Sequence, residues 1–284
     1  MNSIEKLCYL LQIEMEEPQA FGKFHLLCLS ITFVTILCLY FLRNKYNEKQ
    51  LKFIIGTYGI VTFILETLKQ LVYSFNYNIV NNVVDWDYPW YIFPFQLCTT
   101  PMYVTIICLF LKKSNLRTSL FSYLSFITIW GSIMTVLMPD SCFVSTILVN
   151  IHTTWLHFGS LVVSIYLLMN KEVEIKRKNI INSILVLIIF IIIANVLNIF
   201  IYQSNILNGE TFNMFYISPY FDSSLPIFVD IQKLVPYPIF LFIYIFALSL
   251  GAIFIYMIAK YKKYSIKENI INFYKKILST THKL

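Results

Sequence analysis

Cys98 is the residue best suited by type and setting to do chemistry. It lies in Tyr88-Pro89-Trp90-Tyr91-Ile92-Phe93-Pro94-Phe95-Gln96-Leu97-Cys98-Thr99-Thr100-Pro101, the start of an apolar run that continues to Leu111, where Lys112 and Lys113 stop it. Such a run is long enough to cross a bilayer. Its first half nevertheless holds two prolines, a glutamine, a cysteine and two threonines. Proline inside a membrane helix frees a carbonyl that must find another partner, so a segment built only to span would not carry that set. A thiol is a weak nucleophile until deprotonated, and apolar burial makes deprotonation harder. A histidine in hydrogen-bond reach can take the proton and later return it to a leaving group. His157 is the expected partner, and the positive end of a helix dipole near Cys98 would help. Such a pair suits acyl transfer from a lipid ester through a thioester, with the lipid entering sideways from the outer leaflet.

The elements that must position this pair follow from composition. The chain has 284 residues, 58% hydrophobic and 13% charged. A soluble domain carries about 25% charged residues, so the expected class is an all-α, polytopic membrane bundle. Seven apolar runs, at 24–42, 53–73, 91–111, 119–137, 147–169, 180–202 and 236–258, approach the roughly 20 residues a membrane helix needs. Basic residues fix the orientation. Segments 43–52, 112–118, 170–179 and 259–284 hold 18 of the 22 Lys and Arg, and the intervening segments hold 10 of the 15 acids. By the positive-inside rule the amino terminus is outside and the carboxyl terminus cytoplasmic. The net charge of +7 is therefore no sign of nucleic-acid binding. The expected division is an amphipathic interfacial segment at 1–22, ended by Pro18, one seven-helix domain at 23–259, and a basic cytoplasmic tail at 260–284. No signal peptide is expected, because Glu5, Glu14, Glu16 and Glu17 break the first twenty residues. The outer loop 203–235, rich in aromatics and proline, is expected to pack back on the bundle or to dip into the interface as a lid.

Polar groups inside spans are expensive and mark functional sites by default. At 1.5 Å per residue, His25 lies about one turn below the outer surface, Glu66 about 11 Å down, and Cys98 roughly 6–11 Å down. His152 lies about 8 Å down, His157 about 15 Å, and Asn195 and Asn198 roughly 6–11 Å. All share the outer half of the bilayer. Each also has a plain structural reading. Glu66 and Lys69, three apart, can neutralise each other. A lone cysteine in an apolar run behaves as a small hydrophobe, and a lone histidine as a packing residue. His152 and His157 point about 140° apart and would not share a metal. The six cysteines have no metal or disulfide spacing, so neither metal nor cofactor is expected.

Several motifs resemble a known family. Phe93-Pro94-Phe95-Gln96-Leu97-Cys98 resembles the LPLxLC motif of the YwaF-type bacterial integral membrane proteins, relatives of the animal transmembrane-164 acyltransferases. Phe21-Gly22-Lys23-Phe24-His25-Leu26-Leu27 is similar to the family's first-span motif. The segment from Gly131 to Pro139-Asp140, His157 with Gly159, Asn213-Met214-Phe215-Tyr216-Ile217-Ser218-Pro219, and Pro236-Tyr237-Pro238 resemble later motifs in the same order. The resemblance implies a Cys/His-dependent phospholipid acyltransferase in the cell membrane. By motif position the cysteine falls on Cys98 and the histidine on His157. Phe158 separates His157 from the family's glycine, which keeps His152 open as the partner. Gln96 stands where many members carry histidine or another polar residue. His25, Glu66, Gln96, His152 and Asn198 are the supporting candidates. Membrane lipids are the expected partners, with a phospholipid as substrate. Two other readings stand beside it: a seven-helix transporter or receptor, and a non-catalytic membrane protein.

Overall fold

The computed structural model describes residues 2–43, 46–139 and 142–281, with side chains described to Tyr261. Asp140 of the family-like segment, and the side chains of most of the basic tail, lie outside the described residues. Short polar side chains cap three of the described helices. Asn2 and Glu5 cap α1 (Ser3–Leu11) reciprocally. Gly22 precedes α2 (Lys23–Leu42), Asn47 caps α3 (Glu48–Ser74), and Ser114 caps α5 (Asn115–Tyr123). α5 continues through a wider π turn at Leu124–Thr128 into α6 (Ile129–Leu137). α7 (Ile147–Met169), α8 (Arg177–Gln203), the short α9 (Phe228–Leu234) and α10 (Tyr237–Thr281) follow.

Among the described residues, six helices are long and apolar enough to cross a membrane: α2, α3, α5–α6, α7, α8 and α10. The third expected span, 91–111, is not a continuous helix. It consists of a 3-10 turn at Trp90–Ile92, a bent stretch, and α4 (Thr100–Phe110) of 11 residues. At 1.5 Å per residue α4 is about 16 Å long, half a hydrocarbon core. The span Asn115–Leu137 is the most buried of the six, and every residue of its π turn is buried. α7 packs against α2, α3 and α6, while α8 and α10 close on the π turn.

Two ends can be recognised from their contacts. At one, Arg117 reaches Glu48 at 2.6 Å and Glu172 at 3.3 Å, and Tyr46 donates to Glu172. Three of the basic segments thus meet at this end. At the other, Gln12 donates to the carbonyls of Val72 and Phe75, which ends α1 before Pro18, and residues 13–15 pair with 145–147. There too the segment after α3 forms an antiparallel hairpin, β1 (Phe75–Asn78) with β2 (Val83–Trp86). Phe75 is buried under Trp86. The 203–235 loop packs inward as expected: Phe212, Met214, Phe215 and Ile217 are fully buried.

Candidate functional site

The bend before α4 is held by its own side chains. Pro101 lacks the N–H that would bond the carbonyl of Leu97 four residues back. The Thr100 hydroxyl donates to that carbonyl at 2.7 Å instead, and itself lies 2.6 Å from the Tyr123 hydroxyl, which becomes the donor between them. The Pro94 carbonyl accepts from Tyr103 at 2.5 Å, and Thr99 bridges Pro94 and Gln96. Each carbonyl that the prolines disturb therefore has a partner, as burial demands. The result is a half-buried Cys98 one residue before the Thr99 cap of α4, at the positive end of the helix.

Cys98 lies within electrostatic range of Glu66, Lys69 and Cys142, and of the phenols of Tyr58, Tyr123, Tyr216 and Tyr244. On α3, Tyr58 and Glu66 are about 12 Å apart along the axis. On α7, His152 meets Glu66, and the Leu156 carbonyl accepts from Tyr58 at 3.1 Å. Cys98 thus faces α3 across the bend before α4.

The two histidines differ in their commitments. His152 Nε2 is in ion-pair contact with Glu66 Oε2 at 2.7 Å, off the ideal hydrogen-bond line, and its Nδ1 has no hydrogen-bond partner. The other Glu66 oxygen takes Lys69 at 2.7 Å and Gln70 at 2.7 Å, and Gln70 in turn accepts from Tyr88. Glu66 and Lys69 are thus paired, as their spacing suggested. His157 is buried with its backbone carbonyl taken by Ser160, and its ring makes no hydrogen bond among the described residues. Neither histidine hydrogen-bonds Cys98.

The remaining candidates have structural partners. The Phe21 N–H donates to His25 Nδ1 at 2.9 Å, which fixes the neutral tautomer and leaves Nε2–H to donate to the Val136 carbonyl at 2.9 Å. His25 therefore clamps α2 to α6 and does not orient the thiol. Gln96 donates to the Asn213 carbonyl and accepts from Phe215 N–H, while Asn198 takes both backbone groups of Met214. Together they hold a turn in which Phe215 and Tyr216 have φ of 59° and 58°. Consecutive bulky residues in that left-handed region are strained. Asn195 is met by the Tyr237 hydroxyl.

The four tyrosines near Cys98 were not singled out from sequence. A phenol inside an apolar span is itself a polar group that must face the protein interior, and that signal was available. No cluster of three or more metal-ligating residues occurs among the described residues. A family model described as the TMEM164 family matches residues 20–258. No curated protein and no solved structure matches the chain.

Proposed function

The chain belongs to the TMEM164 family and is a multi-pass membrane protein, and from that premise we propose that it is a lipid acyltransferase or acyl hydrolase acting through Cys98. The observation that carries this reading is the placement of Cys98: half-buried, at the amino end of α4, on a bend held by its own side chains.

In the proposed reaction, His157 takes the Cys98 proton as Sγ attacks the ester carbonyl of a phospholipid. The positive amino end of α4 faces the developing oxyanion. The carbon–oxygen bond then breaks, the histidine returns its proton to the lysolipid oxygen, and a thioester remains on Cys98. An acceptor hydroxyl, from a lysolipid or water, loses its proton to the same histidine and attacks the thioester. The carbon–sulfur bond breaks, and the thiolate recovers the proton. His157 is assigned as base because its ring is uncommitted. The Glu66 contact supports a second reading, with His152 as base and Glu66 as its orienting carboxylate.

The same reading gives seven crossings. The stretch from Ile92 to Leu111 runs from the Gln70-contacting end to the Arg117 end, and only its second half is helical. The basic end is cytoplasmic, Cys98 opens toward the outer leaflet, and the protein sits in the cell membrane.

Lipid acyl profiles of cells expressing the protein test the reading. Wild type shifts the profile, and Cys98→Ala, inserted at equal level, does not. A profile equally shifted by Cys98→Ala counts against the thiol. His157→Gln and His152→Gln then decide the base. Transport in proteoliposomes that survives Cys98→Ala and fails with Glu66→Gln would favour a transporter instead.

A further inference from the structure

The basic end of the bundle holds a cleft that the thiol chemistry does not use. Its volume is about 190 Å³, and Lys113, Ser114, Arg117, Thr118, Lys171 and Glu172 line it. The charges in its wall are already matched. The Arg117 side chain is 4% exposed and grips both oxygens of Glu48, at 2.6 and 3.1 Å, as well as one oxygen of Glu172. The other Glu172 oxygen accepts from Tyr46. Burial, and then the Glu172 carboxylate, push the Tyr46 phenol well above its ordinary range, so that it stays a donor.

The two lysines are different. Lys113 and Lys171 come from separate segments, the α4–α5 connection and the turn after α7. Both are exposed, and neither ammonium group has a hydrogen bond or ion pair among the described residues. Lys171 is held at φ 58°, a conformation that costs a non-glycine residue energy. Ser114 accepts the Arg117 backbone N–H, which leaves its own proton to donate. Two unpaired ammonium groups and a hydroxyl donor around one cleft match the acceptor oxygens of a phosphate. The surroundings are apolar: Leu116, on the first turn of α5, is 57% exposed, and Phe110, at the end of α4, is 83% exposed. Exposed side chains of that size suit acyl chains beside a headgroup rather than open water.

We propose that this cleft binds the phosphate of an anionic phospholipid from the leaflet at the basic end. Basic pockets between membrane helices suit such headgroups. The site is separate from Cys98, which lies at the far end of α4.

The test uses the purified full-length protein in detergent and follows its thermal unfolding midpoint. Phosphatidylglycerol should raise the midpoint, and phosphatidylcholine, whose choline cancels the phosphate charge, should not. In Lys113→Gln with Lys171→Gln the midpoint without lipid should be unchanged, and the apparent affinity for phosphatidylglycerol roughly thirtyfold weaker. Lys176→Gln removes the same charge from the same end but outside the cleft, and should bind as wild type. An equal rise with inorganic phosphate, lost in the double variant, supports a phosphate site and makes its source soluble. No rise in wild type, a rise that survives the double variant, or an equal loss in Lys176→Gln overturns the proposal.

Discussion

At the residue scale, the histidines separate by what their nitrogens already do. Both His25 nitrogens are used, so His25→Ala removes a partner from the Phe21 N–H and from the buried Val136 carbonyl. The expected loss is about 1–3 kcal/mol of stability, read as a lower thermal midpoint in detergent. His157→Ala should leave the midpoint close to wild type and remove acyl transfer. The opposite pattern would exchange their roles. Depth along the helices led to the expectation that both histidines lie in the outer half of the membrane, and it could offer no more. Which face each ring takes depends on neighbouring helices, such as the Val136 carbonyl 111 residues from His25. Gln96 shows the same limit. Its polarity inside an apolar run was visible, but its partners lie 117 and 119 residues away.

At the element scale, the prolines and threonines of 94–101 marked an irregular helix entrance, and the structure bears that out. They did not show that the helix would shrink to α4, because hydropathy counts apolar residues without asking whether their backbone is helical. The β1–β2 hairpin was equally hidden, since Phe75 and Trp86 pack across a turn and not along a periodic face. α4 is positioned by close contact with α3. A Cβ on Gly59 would lie 2.7 Å from Thr105 Oγ1 and 3.0 Å from Ile106 Cγ1. Thr105 is itself held by the Pro101 and Met102 carbonyls. Gly59→Val should therefore push α4 off α3, at a cost of about 1–3 kcal/mol, and lower activity further by moving Cys98. Unfolding midpoints measured alongside turnover check this. Gln96→Ala should loosen the Asn213–Tyr216 turn and cut turnover by up to about a hundredfold, with a smaller effect on the midpoint. Turnover equal to wild type would make the turn a bystander.

At the scale of the whole molecule, charge asymmetry was the most legible feature, and the structure gathers three of the basic segments around Arg117. The sequence could not show that these segments are tied by one buried ion cluster, nor that the opposite end is closed by Gln12, Gln70 and Gln96. In cysteine-scanning of intact cells, a reporter cysteine at Lys113 should be protected from an impermeant thiol reagent and one at Glu210 should react. The reverse pattern would invert the orientation. The central claim is that Cys98 carries the acyl group, and the most direct measurement is mass spectrometry of the purified protein given phospholipid and no acceptor. The expected result is one added acyl mass on the peptide containing Cys98, released by neutral hydroxylamine and absent from Cys98→Ser under mild alkaline-stable conditions. An unmodified Cys98 peptide, or the same acyl mass on Cys108 or Cys142 in its place, would contradict it.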